Sequence, residues 1–415
     1  MKVLQINVVA RSGSTGKIMA DIDKQLRVGG HESVICYGRL SGSSMFMTGV
    51  DSNGDFKFCS EAEAALQKIL NKLGGLQYGG NTLPTRRLIK QIKQQRPDIV
   101  HLHCINGYCV NIYRLLDYLA KSEIPTVVTH HAEFFYTGNC GHALECMRFA
   151  DDECHKCPHK TAATGSLTFD RAHTAWRKMK DAFAKFNKDK LIFTTVSPWV
   201  ASRAALSPIT RDVKTEVLLN GLNTDIFKLS EGENDILSRI PGRKAKVALH
   251  VTASFSDDAA SFKGGHYIVE LAKAMPDVTF VVASIYADVT SDLPENLFLW
   301  GRTKNQTELA ELYNAADCTV ISSKRETFSM VVAESLCCGT PVVGFKAGGP
   351  ESIALSEFSK FVDYGDAEAL KSVLEAKLNT PGDSEHISAI ARSKYSQQRM
   401  ASEFIDIYKS LIHRR

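Results

Sequence analysis

The stretch Asp317–Val343 reads DCTVISSKRETFSMVVAESLCCGTPVV and predicts how the second half of the chain folds. An apolar run is followed by a polar loop holding Glu326, then by a helical segment that holds Glu334 and ends at Gly339. A Thr-Pro-Val-Val sequence opens the next apolar run. This order is typical of a parallel α/β sheet, whose ligands bind at the carboxyl ends of the strands. Because eight helical residues rise about 12 Å, the two carboxylates could contact separate parts of one long ligand.

The same segment resembles the signature of the family 4 retaining glycosyltransferases, which have the GT-B fold. The likeness rests on two glutamates with seven residues between them, on the turn Cys338–Val343, and on the Gly-Gly-Pro-Glu sequence at Gly348–Glu351. In that family the first glutamate faces the donor sugar and the second binds the nucleotide ribose. The resemblance therefore implies that Glu326 is catalytic and that Glu334 binds the donor.

The size and composition of the chain exclude several classes of protein. A chain of 415 residues exceeds one ordinary core, so two domains are expected. The net charge of +4 argues against nucleic-acid binding. No apolar run approaches the roughly 20 residues that span a bilayer. The first residues, Met1–Asn7, read as a buried strand rather than a signal peptide. We therefore expect a cytoplasmic protein that can contact the cytoplasmic face of the inner membrane.

Strand-like and helix-like segments alternate through both halves of the chain. This order predicts two Rossmann-like, doubly wound parallel-sheet domains facing a cleft. The expected strands are Val3–Val9, His31–Tyr37, Ile99–His103, Thr126–His130 and Leu191–Val196, then Val247–Thr252, Thr279–Ser284, Leu297–Trp300, Cys318–Ser322 and Val342–Phe345. The expected helices are 17–28, 86–95, 111–121, one opening at 198–205, 264–274 and 305–315.

The expected domain boundaries follow from these segments. Residues 1–196 are predicted to form an acceptor-binding domain and residues 197–395 a nucleotide-sugar-binding domain. Residues 396–415 show a helical stripe of apolar side chains. In the resembled family the terminal helix crosses back to the first domain, and the same is expected here.

The resemblance extends over nearly the whole chain. The sequence Gly13–Ile18 occupies the place of the family's glycine-rich loop, Asp98–His103 matches its third-strand pattern, and Asn220–Phe227 matches its segment after the inter-domain hinge. The chain is similar to transferases that build bacterial capsule, O-antigen or colanic-acid repeat units. The implied partners are a UDP- or GDP-sugar donor and a glycan acceptor that is lipid-linked.

The function expected from the resemblance is transfer of a sugar, with retention, from the nucleotide diphosphate to a glycan hydroxyl. No Asp-x-Asp motif stands at a strand end, so catalysis is expected to need no metal. Two alternatives stay open: a sugar-nucleotide 2-epimerase on the same fold, and a non-catalytic binding module stabilised by zinc.

Small residues at the first strand-to-helix turn are candidates for binding the donor. Gly13, Ser14 and Gly16 would let backbone N–H groups approach an anion or a sugar hydroxyl. A complete P-loop is excluded because Ile18 follows Lys17 where a hydroxyl residue is required.

The resemblance also implies a histidine beside the donor sugar. We assign this position to His131, with its neighbour His130 as the competing choice. Relatives have aspartate where this chain has Ala132, and Glu133 is a candidate to replace that carboxylate.

Positive charge is needed where the donor diphosphate leaves, because it departs as an anion. In the family a lysine before a Gly-Gly pair supplies it, and here that lysine is Lys263. The arginine that the family has several residues earlier is missing, so Lys324 or Arg325 is expected to supply the second charge.

The start of the glutamate helix is a further candidate for diphosphate binding. Thr327, Phe328 and Ser329 follow Glu326, and the free N–H groups of a helix start suit an anion. Ser329 is the predicted N-cap. The family often has glycines at the positions of Thr327 and Ser329.

Eleven cysteines are present, and four of them lie close together in an insert at residues 138–160. Their spacing is C-x5-C-x7-C-x2-C, formed by Cys140, Cys146, Cys154 and Cys157. Four thiols in a reducing compartment indicate a structural zinc site, and a coincidental thiol cluster is the alternative. A catalytic zinc is not expected, because four thiolates leave no open position.

Two basic segments are candidates for resting on an anionic membrane. The first, 86–93, carries Leu88, Ile89 and Ile92, and we favour an ordinary amphipathic helix packed on a sheet. The second, 177–190, is expected to share one helix with Trp176, Phe183 and Phe186, and both interpretations stay open.

Overall fold

The structure is a computed structural model that describes residues 1–39, 45–151, 153–232, 234–380 and 382–413. The chain divides into two compact units. Unit 1 holds Met1–Leu219 and the chain from Met400 onward, and unit 2 holds Asn220–Arg399. Each unit is built on its own sheet with helices packed on it.

Unit 1 contains an eight-stranded sheet in the order β3-β4-β2-β1-β5-β6-β7-β8. The strands are β1 Lys2–Asn7, β2 Glu32–Tyr37, β3 Gly49–Val50, β4 Phe56–Lys57, β5 Ile99–Leu102, β6 Thr126–His130, β7 Leu191–Thr195 and β8 Thr215–Val217. All pairings are parallel except β3 with β4, an antiparallel edge that the sequence did not predict. Strand β8 pairs with β7, which is why unit 1 extends to Leu219 rather than ending at the expected residue 196.

The helices of unit 1 cover its sheet. They are α1 Gly13–Val28, α2 Glu61–Gly74, α3 Thr82–Gln95, α4 Ile112–Ser122, α5 Phe134–Thr137, α6 Arg148–Asp151, α7 Lys160–Thr164, α8 Ala172–Ala184 and α9 Pro198–Leu206. Helix α2 was not predicted. No helix within the described ranges has the length and hydropathy needed to cross a membrane.

The last helix of the chain, at Gln397–His413, supplies part of the unit 1 core. Five of its side chains are at most 6% exposed and belong to one cluster with residues of β1, β5 and α1: Met400, Phe404, Ile407, Tyr408 and Leu411. Burying each such side chain stabilises the fold by about 1.5–3 kcal/mol. Tyr408 also hydrogen-bonds His101 at 2.7 Å, which ties the helix to β5.

Unit 2 contains a six-stranded parallel sheet in the order β11-β10-β9-β12-β13-β14. The strands are β9 Lys246–Ser256, β10 Val278–Asp288, β11 Leu297–Gly301, β12 Cys318–Ile321, β13 Val342–Phe345 and β14 Ser359–Val362. The helices are α10 Gly265–Ala274, α11 Gln306–Ala315, α12 Met330–Cys337, α13 Gly349–Ile353, α14 Ala367–Asn379 and α15 Ser384–Tyr395, so the last helix of the chain is α16. Short 3₁₀ helices lie at Lys188–Lys190 and Ile236–Arg239.

The turn after α12 depends on a glycine. Gly339 has φ +80°, and a Cβ there would lie 2.6 Å from the Ser384 carbonyl oxygen, so no other residue fits without strain. Pro341 follows and cannot continue the helix. The chain therefore turns directly into β13, as the sequence pattern predicted.

Both basic segments bury most of their apolar side chains in unit 1, and Ile89 is partly exposed. Leu88 and Ile92 of α3 are fully buried. Residues 177–190 do not form the single helix expected of them, because α8 ends at Ala184 and a 3₁₀ turn follows. Trp176 and Phe183 are at most 4% exposed, so α8 presents no apolar face to a membrane.

Candidate functional site

Three loops meet at the carboxyl ends of β9, β12 and β13 in unit 2. The Glu326 N–H donates to the Ala347 carbonyl at 3.0 Å, and the Gly349 N–H donates to the Glu326 carbonyl at 2.8 Å. The loop after β12 is thus fixed to the loop after β13 on both sides of Glu326. The Ser322 hydroxyl donates to the Lys263 carbonyl at 3.0 Å and attaches the loop after β9.

The side chains of Lys263 and Glu326 form an ion pair at this edge. The distance from Lys263 Nζ to Glu326 Oε1 is 2.6 Å, and both side chains are 24% exposed. Two residues that the sequence predicted for different parts of the donor are therefore in contact. This carboxylate and this cation are held together and open to solvent. They can bind a ligand in which a carbon that develops positive charge is bonded to a negatively charged phosphate.

The position of Lys263 is set by the glycine after it. Gly264 has φ +69°, and a Cβ there would lie 2.1 Å from the Ser322 carbonyl oxygen. Only glycine allows this approach between the loops after β9 and β12. The Gly-Gly pair after Lys263 is thus explained by local sterics as well as by the family resemblance.

Helix α12 begins at Met330, after the residues expected to start it. Ser329 precedes the helix, but its side chain makes no capping hydrogen bond, so the predicted N-cap interaction is absent from the described structure. Its φ of +76° is unusual for a residue with a side chain, and it occupies a position where relatives often have glycine. Phe328 is 4% exposed and anchors the loop, while Thr327 remains partly exposed.

Glu334 lies on α12 and is partly exposed. Its Oε2 accepts a hydrogen bond from the hydroxyl of the buried Tyr313 at 3.0 Å. Burial and the neighbouring carboxylate raise the pKa of Tyr313, which stays a donor. Tyr313 holds the Glu334 side chain, a role that the sequence did not predict because the two residues are on different helices.

Arg325 and Lys324, the candidates for the missing second charge, lie in the same loop as Glu326. The Lys324 N–H donates to the Phe262 carbonyl at 2.8 Å, and its Nζ lies 5.6 Å from the centre of the Tyr364 ring. Lys324 is therefore directed to an aromatic ring, which leaves Arg325 as the candidate that we retain.

Replacing Lys263 with alanine is expected to reduce transition-state stabilisation by about 2–4 kcal/mol, the size of one lost electrostatic contact. The change removes the cation beside Glu326 and beside the proposed diphosphate. Steady-state kcat/KM for transfer measures the loss, with Lys371→Ala as the control, because Lys371 on α14 is a partly exposed lysine that also pairs with a glutamate, Glu375. If both variants behaved like the wild type, the diphosphate site would have to be moved to Arg325.

In unit 1 the candidate donor loop lies at the end of β1. Helix α1 begins at Gly13, where φ is +64°, and Gly13 and Ser14 are exposed. Gly16 is buried in the first turn, where a Cβ would lie 3.2 Å from the Arg11 nitrogen. The loop therefore leaves Gly13 and Ser14 exposed, while Gly16 allows close packing of the turn.

His131 directly follows β6 and joins a chain of buried hydrogen bonds. Its Nε2 lies 3.1 Å from His103 Nδ1, and His103 Nε2 lies 3.1 Å from Gln5 Oε1. Burial lowers the pKa of His131 from 6.5 to about 3, so the ring is neutral. From the sequence, His103 was included only in a strand pattern, and its role in the site was not predicted. The alternation His101-Leu102-His103 could have shown that both histidines lie on the same face of the strand.

The hydrogen bonds fix which nitrogen of His131 carries the proton. Gln5 Nε2 lies 3.3 Å from the Met19 carbonyl oxygen, which can only accept a hydrogen bond, so the NH₂ group of the Gln5 amide faces Met19. The amide oxygen, Gln5 Oε1, therefore faces His103. That oxygen can only accept, so the proton of neutral His103 is on Nε2 and its Nδ1 accepts. His131 therefore donates from Nε2 and keeps Nδ1 as an accepting nitrogen.

His130, the competing choice, lies in a different environment. It is fully buried, and within the described chain neither ring nitrogen has a hydrogen-bond partner. The rings of Phe135, Tyr136 and Phe193 surround it, with centroids 4.9–5.8 Å away. Only His131 keeps some exposure, 8%, so the geometry favours it over His130 as the ligand-facing residue.

His130→Leu is expected to make the protein more resistant to acid. Burial lowers the pKa of His130 from 6.5 to about 3, so the unfolded chain binds this proton first as pH falls below 6.5. At pH 5 this preference costs about 2 kcal/mol of stability, which the variant would recover. Urea unfolding at pH 7.5 and pH 5 measures the difference. An equal loss of stability on acidification in both proteins would contradict the assignment.

Glu133 does not replace the carboxylate missing at Ala132. It is fully buried, and its Oε1 accepts from Arg203 Nε at 2.7 Å and from the Tyr136 hydroxyl at 2.7 Å. Its Oε2 accepts from the Ala143 N–H at 2.7 Å. Glu133 therefore holds the cysteine insert and is not available to a sugar.

The insert brings parts of the cysteine cluster together. The Thr137 hydroxyl donates to the Cys140 carbonyl at 3.0 Å, and the Cys154 thiol lies 3.7 Å from the Thr137 carbonyl. Burial, then the charges of Cys154, Cys157 and Cys146, raise the pKa of the Cys140 thiol. No disulfide joins any two cysteines of the described chain. In the described residues, one group of possible metal ligands has all its ligand atoms within 4.8 Å of one another, and it consists of Glu153, His155 and His173. The four cysteine sulfur atoms do not lie that close together.

Sequence comparison finds known proteins that are similar to this chain. The description "Glycosyl transferases group 1" matches residues 290–394, which include Glu326 and Glu334. The chain is 20% identical to a protein of Escherichia coli K12 named as a colanic acid biosynthesis glycosyl transferase, WcaC, over 99% of this chain and 100% of that one. It is 34% identical to the D-inositol 3-phosphate glycosyltransferase of Xylanimonas cellulosilytica over 26% of this chain and 27% of the relative.

Solved structures share the fold over nearly the whole chain. Sucrose-phosphate synthase from Thermosynechococcus elongatus has a TM-score of 0.66 at 14% identity, covering 99% of this chain and 98% of that one. Anabaena HepE in complex with UDP has a TM-score of 0.62 at 16% identity, covering 99% and 100%. HepE was also solved in complex with UDP-glucose. These likenesses establish the GT-B fold that the sequence predicted.

Proposed function

We propose that this protein is a retaining glycosyltransferase of surface polysaccharide synthesis. Its residues 290–394 match the glycosyl transferases group 1 family, and the chain has the GT-B fold. The donor is a UDP- or GDP-sugar, and the acceptor is the hydroxyl of a lipid-linked glycan. The complexes of HepE with UDP and UDP-glucose support a nucleotide sugar as the donor class. The full-length likeness to WcaC supports the pathway.

The ion pair between Lys263 and Glu326 is the observation that carries the proposal. Donor binding brings a diphosphate to Lys263, whose charge then offsets that of the leaving group. Glu326 is left facing the sugar carbon, where positive charge develops. The N–H groups at the start of α12 add to the electrostatic stabilisation, so transfer needs no metal ion.

The proposed step exchanges one bond for another on the same face of the sugar. The bond from C1 to the phosphate oxygen breaks, the acceptor oxygen bonds C1, and the departing phosphate takes the acceptor proton. Glu334 holds the ribose. His131, neutral and with Nδ1 accepting, receives a hydrogen bond from a sugar hydroxyl, which a protonated imidazole could not do.

A thermal-shift panel of nucleotide sugars tests the proposal and identifies the donor. A bound donor stabilises the folded protein by an amount that grows with its concentration over Kd. We expect one UDP- or GDP-sugar to raise the unfolding midpoint, and Glu334→Ala to weaken that shift. If no nucleotide sugar shifted the wild-type midpoint at millimolar concentration, the proposed donor site would be refuted.

The insert is proposed to hold a structural zinc ion through Cys140, Cys146, Cys154 and Cys157. Four thiols are the donor set that such sites use, and they leave no open position for catalysis. The contacts of Thr137 with the chain at Cys140 and Cys154 support the grouping. Leu144, Glu153, Cys154 and Lys156 all have positive φ, and tight turns of this kind let thiols on separate turns face one point.

The purified protein is expected to carry about one zinc ion per chain, and a strong chelator is expected to lower its unfolding temperature because metal binding energy is folding energy. Elemental analysis and a thermal scan measure the two effects. Cys146→Ser is expected to lose the metal, whereas the control Cys104→Ser, outside the insert, is expected to keep it. If the purified wild type contained no metal and the chelator left its unfolding temperature unchanged, the four cysteines would be ordinary thiols and not a zinc site.

A further inference from the structure

Helix α2 is amphipathic in the reverse sense: its polar face is buried and its apolar face is exposed. Gln67 and Asn71 are 7% and 1% exposed. The Asn71 amide donates to the Thr164 carbonyl at 2.7 Å, so the polar face is held inward by a specific hydrogen bond. A helix packed only for stability would bury its leucines instead.

The exposed face carries apolar side chains at helical spacing. Leu66, Ile69, Leu70 and Leu73 are 51–58% exposed and follow the i, i+3, i+4, i+7 pattern of one helical face. A helix of 14 residues is about 21 Å long, so these side chains form a continuous line.

Exposed aromatic side chains lie at both ends of this line. Phe46, 77% exposed, follows Met45, whose carbonyl accepts from the Ala62 N–H at the start of α2. Phe169, 58% exposed, follows Leu167, whose N–H donates to the Lys72 carbonyl at the end of α2. We call the six side chains Phe46, Leu66, Ile69, Leu70, Leu73 and Phe169 the apolar ridge.

The charges around the apolar ridge are mainly positive. Lys68 and Lys72 are exposed on α2. The two acidic residues of α2 are engaged with bases: Glu61 pairs with Arg39 at 3.2 Å and Glu63 with Arg87 at 2.8 Å. At the Phe169 end, Lys160 and Arg171 add two further positive charges, and the one acidic neighbour, Asp170, accepts hydrogen bonds from the Cys157 and Ala172 N–H groups.

We propose that the apolar ridge is a membrane-docking surface that inserts into the headgroup region of a bilayer containing anionic lipids. A projecting line of apolar side chains bordered by lysines is the pattern of helices that lie in the membrane interface. A concave apolar groove would suit a protein partner better, but four of the six side chains stand on the exposed face of one helix and the other two lie beyond its ends. The surface differs from the two basic segments suggested by the sequence, whose apolar residues are mostly buried.

The inference deepens the proposed function, because a surface of this kind would bring the enzyme to a lipid-linked acceptor. Vesicle binding nevertheless requires neither donor nor acceptor. A failure to bind vesicles would therefore overturn the docking surface alone, whereas a failure of the nucleotide-sugar panel would overturn the transferase proposal alone.

Flotation of the full chain with vesicles tests the docking surface. Vesicles of phosphatidylcholine with phosphatidylglycerol are expected to bind the protein, and phosphatidylcholine alone to bind it more weakly. The double variant Ile69→Glu/Leu70→Glu is expected to reduce binding at least about tenfold, because charged groups replace two inserting side chains. Lys68→Gln/Lys72→Gln is expected to remove only the preference for anionic vesicles.

Matched controls separate this effect from damage to the fold. Val28→Glu introduces the same charge at a 75% exposed apolar position on another helix, α1, and is expected to bind like the wild type. All variants change exposed side chains and are expected to keep the wild-type unfolding midpoint. A milder variant, Leu66→Ser, is used if the double variant unfolds.

Three results would overturn the proposal. The wild type would fail to float with anionic vesicles, or the double variant would float as well as the wild type. In the third result, the wild type would not bind vesicles, and light scattering would show that it is a dimer that the Ile69→Glu/Leu70→Glu variant no longer forms. The apolar ridge would then be an interface between two copies of this chain.

Discussion

Glu326→Gln is expected to lower kcat for transfer at least about 10³-fold while nucleoside diphosphate affinity changes little, because the carboxylate charge acts mainly on the transition state. The substitution keeps the size of the side chain and the loop contacts, which are made by the backbone of residue 326 with Ala347 and Gly349. The affinity is measured by calorimetry, and kcat with the donor that the thermal-shift panel identifies.

Two further variants sharpen this prediction. Glu334→Ala is expected to raise KM more than it lowers kcat, since a ribose contact is shared by ground and transition states. Glu357→Gln, at an exposed position of the same unit, is the control and is expected to be active. Near wild-type turnover by Glu326→Gln would show that Glu326 is not the catalytic carboxylate.

Glu133→Ala is expected to lower the free energy of unfolding by about 3–5 kcal/mol, the usual cost of leaving one charge of a buried pair without its partner. The side chain of Arg203 is 10% exposed and would lose its carboxylate. The Tyr136 hydroxyl and the Ala143 N–H would lose an acceptor at the same time. Urea unfolding measures the loss.

A double variant and a surface pair serve as controls for Glu133. Glu133→Gln/Arg203→Met is expected to be more stable than Glu133→Ala, because the buried charge is removed with its partner. Glu32→Ala breaks the pair with Lys2 on the surface, where the glutamate is 73% exposed, and is expected to cost less than about 1 kcal/mol. Equal losses for Glu133→Ala and Glu32→Ala would mean that the buried pair does not hold the insert.

The sequence predicted the donor end of unit 2 well because its signals are local. Strand β13 begins and ends where the pattern placed it, and Gly339 closes α12 through its own backbone conformation. Strands β9 and β10 were predicted too short. They continue to Ser256 and Asp288 because they pair with each other at Ser254 and Tyr286, beyond the apolar cores of both segments.

Features that depend on distant partners could not be predicted. Glu133 and Arg203 are seventy residues apart in sequence, so the role of Glu133 in holding the insert had no local signal. The ion pair between Lys263 and Glu326 is hidden for the same reason. Helix α2 was missed although its leucines are periodic, and its orientation depends on the contact between Asn71 and Thr164.

The most direct test of the central claim is the configuration of the sugar that the enzyme first releases from its donor. Water is the acceptor in this assay, and proton NMR follows C1 of the freed sugar before it equilibrates in solution. Our account predicts that the first-formed anomer has the configuration of the donor and that Glu326→Gln releases none. Release of the opposite anomer, or accumulation of an epimerised sugar nucleotide instead, would contradict it.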